Sequence, residues 1–98
     1  MPVNEWPNAT EMIVMRVLQE LPRGAFGLDI VHRSNGAVKR FTVYLLLARL
    51  EEKGFVRVLP KKPEPDYPGP PRPKYQLTAE GCRVIATAEA IGMSFAGA

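Results

Sequence analysis

The chain has 98 residues, of which 46% are hydrophobic, and a formal net charge of +3. A chain of this length builds one domain with a modest core, so we expect a single domain over residues 1–98. It has one cysteine, Cys82, and one histidine, His32, which excludes a disulfide framework and a Cys/His zinc site, because a structural zinc needs about four ligands. We therefore expect no metal and no cofactor.

Membrane and enzyme functions are also disfavoured. No apolar run approaches the roughly 20 residues that cross a bilayer, and MPVNEWPNAT lacks a basic segment followed by an apolar one. We expect a cytoplasmic protein with no membrane partner. The sequence shows no Gly-rich phosphate loop and no Ser/His/Asp set, and the adjacent Glu51 and Glu52 point in different directions. The sequence therefore predicts a protein that is not an enzyme.

The positive charge is concentrated between residues 33 and 83. Residues 33–83 contain eleven Lys or Arg against five acidic residues. Such a concentration is the electrostatic footprint expected of a surface that binds phosphate. A basic surface that contacts only solvent is the alternative that charge alone leaves open.

A first helix is predicted over about residues 9–21. Asn8 and Glu11 resemble a capping pair at its start. Apolar residues recur at helical spacing and define one buried stripe, made of Ile13, Val14, Val17, Leu18 and Leu21. Met12 and Met15 lie off this stripe, so we expect them to contact a partner chain.

A second, short helix is predicted over about residues 28–34. Pro22-Arg23-Gly24 ends the first helix, and Leu28 and Val31 are expected to point inward from the second. Asn35-Gly36 ends it, since both residues tolerate the left-handed conformation of a helix C-terminus.

The third helix is predicted over about residues 41–53. At about 100° per residue, four apolar side chains fall on one arc and form a stripe that faces the core. They are Val43, Leu46, Leu47 and Leu50. The opposite face holds Leu45, Ala48 and Glu52, flanked by Tyr44 and Arg49, with Thr42 at the boundary. Only Arg49 on this face could make a bidentate contact with guanine.

A two-stranded wing is predicted over about residues 55–77. FVRVL reads as one strand, and Lys74–Thr78 reads as a second short strand. Residues 60–74 contain seven prolines, which lack a ladder donor and stiffen the chain, so we expect an extended arm. The basic residues of this arm are Lys61, Lys62, Arg72 and Lys74. An exposed arm buries nothing, so its charges favour a role in binding.

Thr78 can cap a last helix over about residues 79–92. Its apolar stripe is expected to pack on the first helix or on a second subunit, and consists of Val84, Ile85, Ala88 and Ile91. We expect a homodimer formed through the first and last helices. The predicted interface residues are Met12, Met15, Ile85 and Ile91. Cys82 is interpreted as a small core or interface hydrophobe, with a redox-sensing thiol as the alternative.

Three helices, a basic two-stranded wing and a last helix make up a winged helix-turn-helix, a mainly α fold with a small β-hairpin. Within this fold, the chain resembles the PadR-type transcriptional regulators. Their pattern is a helix ending Y..L..LEE.GL, a variable wing and Y.LT..G. The matching residues are Tyr44, Leu47, Leu50, residues 51–56 and residues 75–81. The resemblance covers about residues 9–85.

The resemblance implies a dimeric repressor that binds double-stranded DNA, with helix 41–53 in the major groove and the wing on the backbone or minor groove. The DNA contacts predicted on this basis are Lys39, Arg40, Thr42, Tyr44, Leu45, Arg49, Lys61, Lys62, Arg72 and Lys74. Family members usually begin this helix with a Ser-Pro-Gly-Thr-like sequence, where this chain has Lys39-Arg40-Phe41-Thr42. We expect the basic pair to hold phosphate, and Leu45 to contact a thymine methyl group.

Two alternatives stay open at this point. Tyr44 is as consistent with a half-buried packing residue as with a hydrogen bond to phosphate. The outward Leu45 and Ala48, together with the proline-rich arm, are also consistent with a winged helix that docks on a partner protein without reading DNA. Salt dependence separates these functions, because phosphate neutralisation gives a steep slope and apolar docking does not.

Overall fold

The structure, a computed structural model, describes residues 6–60 and 72–92. Within these residues the chain forms four helices and one two-stranded antiparallel sheet. The elements are α1 (Ala9–Glu20), α2 (Gly27–Arg33), α3 (Arg40–Glu52), β1 (Val56–Val58), β2 (Tyr75–Leu77) and α4 (Ala79–Ala90). Their order and bounds confirm the predicted winged helix-turn-helix. No helix of the described segments is long and apolar enough to cross a membrane.

A reciprocal pair of hydrogen bonds starts α1, as the sequence predicts. The Glu11 backbone N–H donates to Asn8 Oδ1 at 2.8 Å, and the Asn8 N–H donates to Glu11 Oε1 at 2.9 Å. Glu11 is buried, and the same Oε1 accepts a hydrogen bond of 2.8 Å from Lys53 Nζ. Because a buried carboxylate needs a partner, this ion pair joins the start of α1 to the end of α3.

Helix α1 is the centre of the molecule. It packs against α2, α3, α4 and β2, and its buried residues therefore lie on more than one face. Met12 and Met15 are both fully buried in the core of a single chain. Their prediction as dimer contacts is therefore wrong, because a side chain with no exposed surface has none to offer a partner. Ile85, buried against the same core, is excluded for the same reason.

Three other residues also correct or qualify the sequence interpretation. Ile91, the fourth predicted interface residue, is 65% exposed, so it stays available to a partner. Cys82 is exposed, not a core residue, because Gly81 and Ile85 take up the inward side of α4. Leu28 points outward, since it lies on the far side of α2 from the buried Ile30.

The turn between α2 and α3 uses the two residues predicted to end α2. Asn35 and Gly36 both have positive φ, 53° and 89°, which reverses the chain within a few residues. The Val38 N–H then donates to Ser34 Oγ at 3.0 Å, and Val38 is buried. This turn leads directly into Lys39 and α3. The core-facing stripe predicted for α3 is confirmed, since all four of its residues are buried.

The wing begins as an antiparallel pair in which Val56, Arg57 and Val58 lie opposite Leu77, Gln76 and Tyr75. Tyr75 also pairs with Ala25 on its other side, through backbone hydrogen bonds of 2.8 and 2.9 Å. The chain between α1 and α2 is thus joined to the base of the wing. Lys61 and Lys62 lie outside the described residues, as does most of the predicted proline-rich arm.

The junction of β2 and α4 explains the motif LEEKGF followed by YQLTAEG. Thr78 Oγ1 accepts a hydrogen bond of 3.0 Å from the Gly81 N–H, as predicted for a helix cap, and donates one of 2.6 Å to the Gly54 carbonyl. The Thr78 N–H donates to the Phe55 carbonyl at 3.0 Å. A Cβ on Gly81 would lie only 2.3 Å from that same carbonyl oxygen. The motif therefore fixes the end of α3 against the start of α4.

Candidate nucleic-acid interface

The outward face of α3 is apolar at its centre. Phe41 is 99% exposed and Leu45, one turn further along, is 53% exposed. Ala48 continues the same line and is also exposed. At about 100° per residue, these three positions lie opposite the buried stripe. We call Phe41, Leu45 and Ala48 the apolar ridge of α3.

Basic side chains surround this ridge. Lys39 is the residue just before α3, Arg40 is its first residue, and both are exposed. Arg49, also exposed, lies on the flank two turns further along. None of the three forms a salt bridge with any described residue, so their charges remain available to an anion. The start of α3 adds the partial positive charge of a helix N-terminus.

Thr42 and Tyr44 flank the ridge, and each is already engaged within the chain. Thr42 is exposed, but its hydroxyl donates to the Lys39 carbonyl at 3.2 Å. A phosphate contact in which Thr42 donates must replace that hydrogen bond. Tyr44 is 48% exposed, and its ring lies so close to Gly27 that a Cβ there would be 2.7 Å from the ring. Tyr44 therefore packs on the first turn of α2 while keeping about half of its surface open.

The base of the wing contacts the start of α2 through Phe26. The Arg72 guanidinium lies 3.9 Å from the centre of the Phe26 ring, and Lys74 Nζ lies 5.2 Å from it. Both distances are within the range of a cation–π interaction. Arg72 is therefore partly buried, against the expectation that the arm buries nothing, whereas Lys74 remains exposed. Sequence reasoning missed Phe26, which follows the predicted turn and shows no periodic signal.

These contacts connect three of the predicted site residues, Tyr44, Arg72 and Lys74, through the start of α2. Tyr44 of α3 contacts Gly27. Phe26, the residue before Gly27, contacts Arg72 and Lys74, and Tyr75 of β2 directly follows Lys74. Burial, together with nearby Tyr44 and Glu51, raises the pKa of Tyr75, so this side chain stays neutral at ordinary pH. Helix α3 and the wing base are thus held together through α2.

Sequence reasoning also missed Phe41, although its spacing could have revealed it. Phe41 lies four residues before Leu45, the spacing of side chains that share a helix face. Phe41 instead stands in Lys39-Arg40-Phe41-Thr42, where related proteins usually have a Ser-Pro-Gly-Thr-like sequence, and no contact was predicted for it. Among the described residues, no group of three or more His, Cys, Asp or Glu could hold a metal ion.

This fold and this surface define a winged helix-turn-helix protein whose third helix presents an apolar ridge surrounded by basic side chains. No protein-family profile and no curated protein matches the chain. Solved structures do match. A PadR family transcriptional regulator from Eggerthella lenta DSM 2243 has 29% identity and a TM-score of 0.64, over 85% of this chain and 73% of that one.

Two further structures give the same picture. A PadR-like transcription factor from Bacteroides fragilis has 27% identity and a TM-score of 0.65, over 84% of this chain and 81% of that one. A PadR family transcription regulator from Clostridium difficile R20291 has 22% identity and a TM-score of 0.71, over 86% of each chain. The chain therefore has a winged helix-turn-helix fold similar to that of these PadR-family proteins, and these structural neighbours are transcription regulators.

Proposed function

We propose that this protein is a sequence-specific regulator of transcription that binds double-stranded DNA as a homodimer in the cytoplasm and acts as a repressor. The observation that carries the proposal is the start of α3. There, Lys39 and Arg40 are exposed and form no salt bridge with a described residue, and they lie next to a helix face that no described residue covers. The regulators among the structural neighbours support the same function.

In this proposal α3 lies in the major groove. The helix has 13 residues and is about 20 Å long. In a major groove about 12 Å wide, the first two turns of this helix reach the base edges. Lys39, Arg40, Thr42 and Tyr44 contact phosphates or base edges at the rim and set the register. Arg49 reads a guanine or contacts another phosphate.

The wing adds affinity that does not depend on sequence. Arg72 and Lys74 contact Phe26, next to the Gly27 that Tyr44 contacts. They therefore extend the basic surface of α3 past the start of α2. Lys61 and Lys62, in the part of the arm that the structure does not describe, are expected to do the same. Each phosphate that a cation neutralises releases counterions and strengthens binding. Two copies related by a two-fold axis would bind a pseudo-palindromic site.

A second candidate function is docking on a partner protein. The observation that favours it is the apolar ridge, because an exposed Phe41 beside Leu45 is also what an interface between proteins would use. In that case the basic residues near Lys39 and Arg40 would steer an acidic partner and DNA binding would be absent or incidental.

A salt titration distinguishes the two candidates. The full chain is added to a labelled duplex of about 20–30 base pairs, long enough for two half-sites. For the DNA-binding function, log K falls linearly with log salt between about 50 and 200 mM, with a slope of about −3 or steeper. Binding that is absent, or that does not change with salt, would contradict the proposed function and favour protein docking.

A further inference from the structure

The apolar ridge is exposed where a helix surface is ordinarily polar. Phe41 is the most exposed of the large hydrophobic residues that the structure describes, and no described residue covers it. Removing an exposed Phe from a helix costs the fold little, because its packing contributes nothing to the core. Phe41 and Leu45 therefore need a different explanation from the buried side chains of α3.

The surroundings of the ridge limit what it can bind. Lys39 and Arg40 lie at its start and Arg49 beside it, so the partner must be apolar at the centre and negative on either side. Glu51 and Glu52 are exposed in the last turn and would repel a polyanion there. An anionic partner is therefore kept from the last turn of α3 and lies along the part of the helix that holds Phe41, Leu45 and Arg49.

The major groove of DNA has this combination of properties. Phosphates line both of its sides, and the one apolar group on its floor is the C5-methyl group of thymine. Phenylalanine and alanine are among the side chains that make apolar contact with that methyl group. A guanine-rich site offers donors and acceptors that Phe41 and Leu45 cannot bond, and burying them unpaired carries a penalty.

We propose that Phe41 and Leu45 determine sequence specificity by packing on thymine C5-methyl groups, so that the preferred half-site places T·A pairs under the first two turns of α3. This inference rests on the proposed function, since it requires α3 to lie in the major groove. The inference adds Phe41 to the site. Apolar contact is then the main source of discrimination by α3, and Arg49 is one polar reader beside it.

The test removes only the methyl group. The full chain first selects its preferred duplex from a random library, and each thymine of that duplex is then replaced in turn by deoxyuridine. At one or two positions in each half-site, the replacement should weaken binding about fourfold, the factor for one buried methyl-sized group. A further duplex carries 5-methylcytosine paired with guanine at the same position. It tests whether the methyl group alone is enough to restore the binding lost with deoxyuridine.

Variants assign the contacts to residues. Phe41→Ala should remove the deoxyuridine penalty at one position, and Leu45→Ala should remove it at another. Leu28→Ala, the same kind of change at an exposed apolar residue of α2, should leave the ratio of thymine to deoxyuridine affinity as in the parent. Thermal unfolding of each variant checks that the fold is kept, as expected for exposed positions.

The outcomes separate the inference from the function it rests on. If the chain selects a duplex but deoxyuridine has no effect, or if both variants keep the full penalty, the inference is overturned while the DNA-binding function stands. If the chain selects no duplex at all, both fail, and the apolar ridge is then a surface for protein docking.

Discussion

Residue Thr78 performs two structural tasks at one point in the chain. Its hydroxyl accepts from the Gly81 N–H to cap α4 and donates to the Gly54 carbonyl at the end of α3. Gly54 itself has a positive φ of 84°, which a residue with a side chain rarely adopts. The spacing LT..G is therefore a requirement of this joint, since Gly81 must approach the Phe55 carbonyl more closely than any Cβ permits.

The first prediction concerns Gly81→Ala. Alanine is favoured over glycine inside a helix by about 1 kcal/mol, so the substitution would ordinarily stabilise α4. Here the added Cβ would lie 2.3 Å from a backbone oxygen, and we expect a net loss of about 1–3 kcal/mol in the free energy of unfolding. Urea denaturation measures the change. The matched control is Ala86→Gly, an exposed α4 position that should lose no more than about 1 kcal/mol. Stabilisation by Gly81→Ala would show that the close approach is not present.

A second prediction distinguishes the two flanks of the apolar ridge. Arg49→Ala should relax discrimination at one base position by about 1–3 kcal/mol, because the guanidinium is the one bidentate reader on this face. Tyr44→Phe should lower affinity evenly across sequences, because it removes a hydroxyl while keeping the ring against Gly27. Both are measured on the selected duplex and its single-base variants. Arg83→Ala, an exposed arginine of α4, serves as control. Unchanged binding by both variants would show that α3 is not the reader.

At the scale of elements, the described base of the wing is held in place by contacts with the chain at the start of α2. The pairing of Tyr75 with Ala25 and the stacking of Arg72 and Lys74 on Phe26 hold its base against α2. Charges at a fixed position bind phosphate with less loss of conformational entropy than charges on a free arm.

The third prediction tests the wing as a source of nonspecific affinity. Changing Lys61, Lys62, Arg72 and Lys74 to Ala should weaken binding to every duplex and flatten the plot of log K against log salt by up to about four units. Arg83 is ion-paired with Glu80 within α4, outside α3 and the wing, so Arg83→Ala is the control and should leave the slope as it was. A quadruple variant with the parental slope would exclude the wing from phosphate contact. Phe26→Leu removes the ring that Arg72 contacts and keeps the charge, so it separates the two contributions.

Sequence patterns predicted the elements well where one face is buried and one is exposed. Helix α3 is such an element, and its four core residues follow from spacing alone. Helix α1 is not, because it is surrounded by four elements, and a one-sided stripe misplaced Met12 and Met15. Contacts that depend on the approach of distant segments, such as Arg72 on Phe26, leave no periodic signal in the sequence.

For the whole molecule, the proposed dimer must use surface that each chain leaves exposed. Met12, Met15 and Ile85 are buried in each chain, so the proposed dimer depends on surface residues of α1, of α4 and of the residues just after it. Among the described residues of this surface, the large apolar one is Ile91. Arg16 and Glu89 already form a salt bridge of 3.2 Å between these two helices, so they present one joined surface.

The fourth prediction is that the chain sediments at twice its own mass at micromolar concentration. Ile91→Glu should shift it toward the monomer, because a charge would be buried in an apolar contact. Thr87→Glu, at another exposed position of α4, tests whether the effect is local to Ile91. A chain that remains monomeric even on DNA would reject the dimer, and half-sites about one helical turn apart would then not be expected.

The central claim is that this fold reads a DNA sequence, and the ratio of two affinities tests it most directly. The duplex that the full chain selects from a random library is compared, at physiological salt, with a scrambled duplex of the same composition. The proposed function predicts that the selected duplex binds at least about a thousandfold more tightly. Equal affinity for the two duplexes would contradict it.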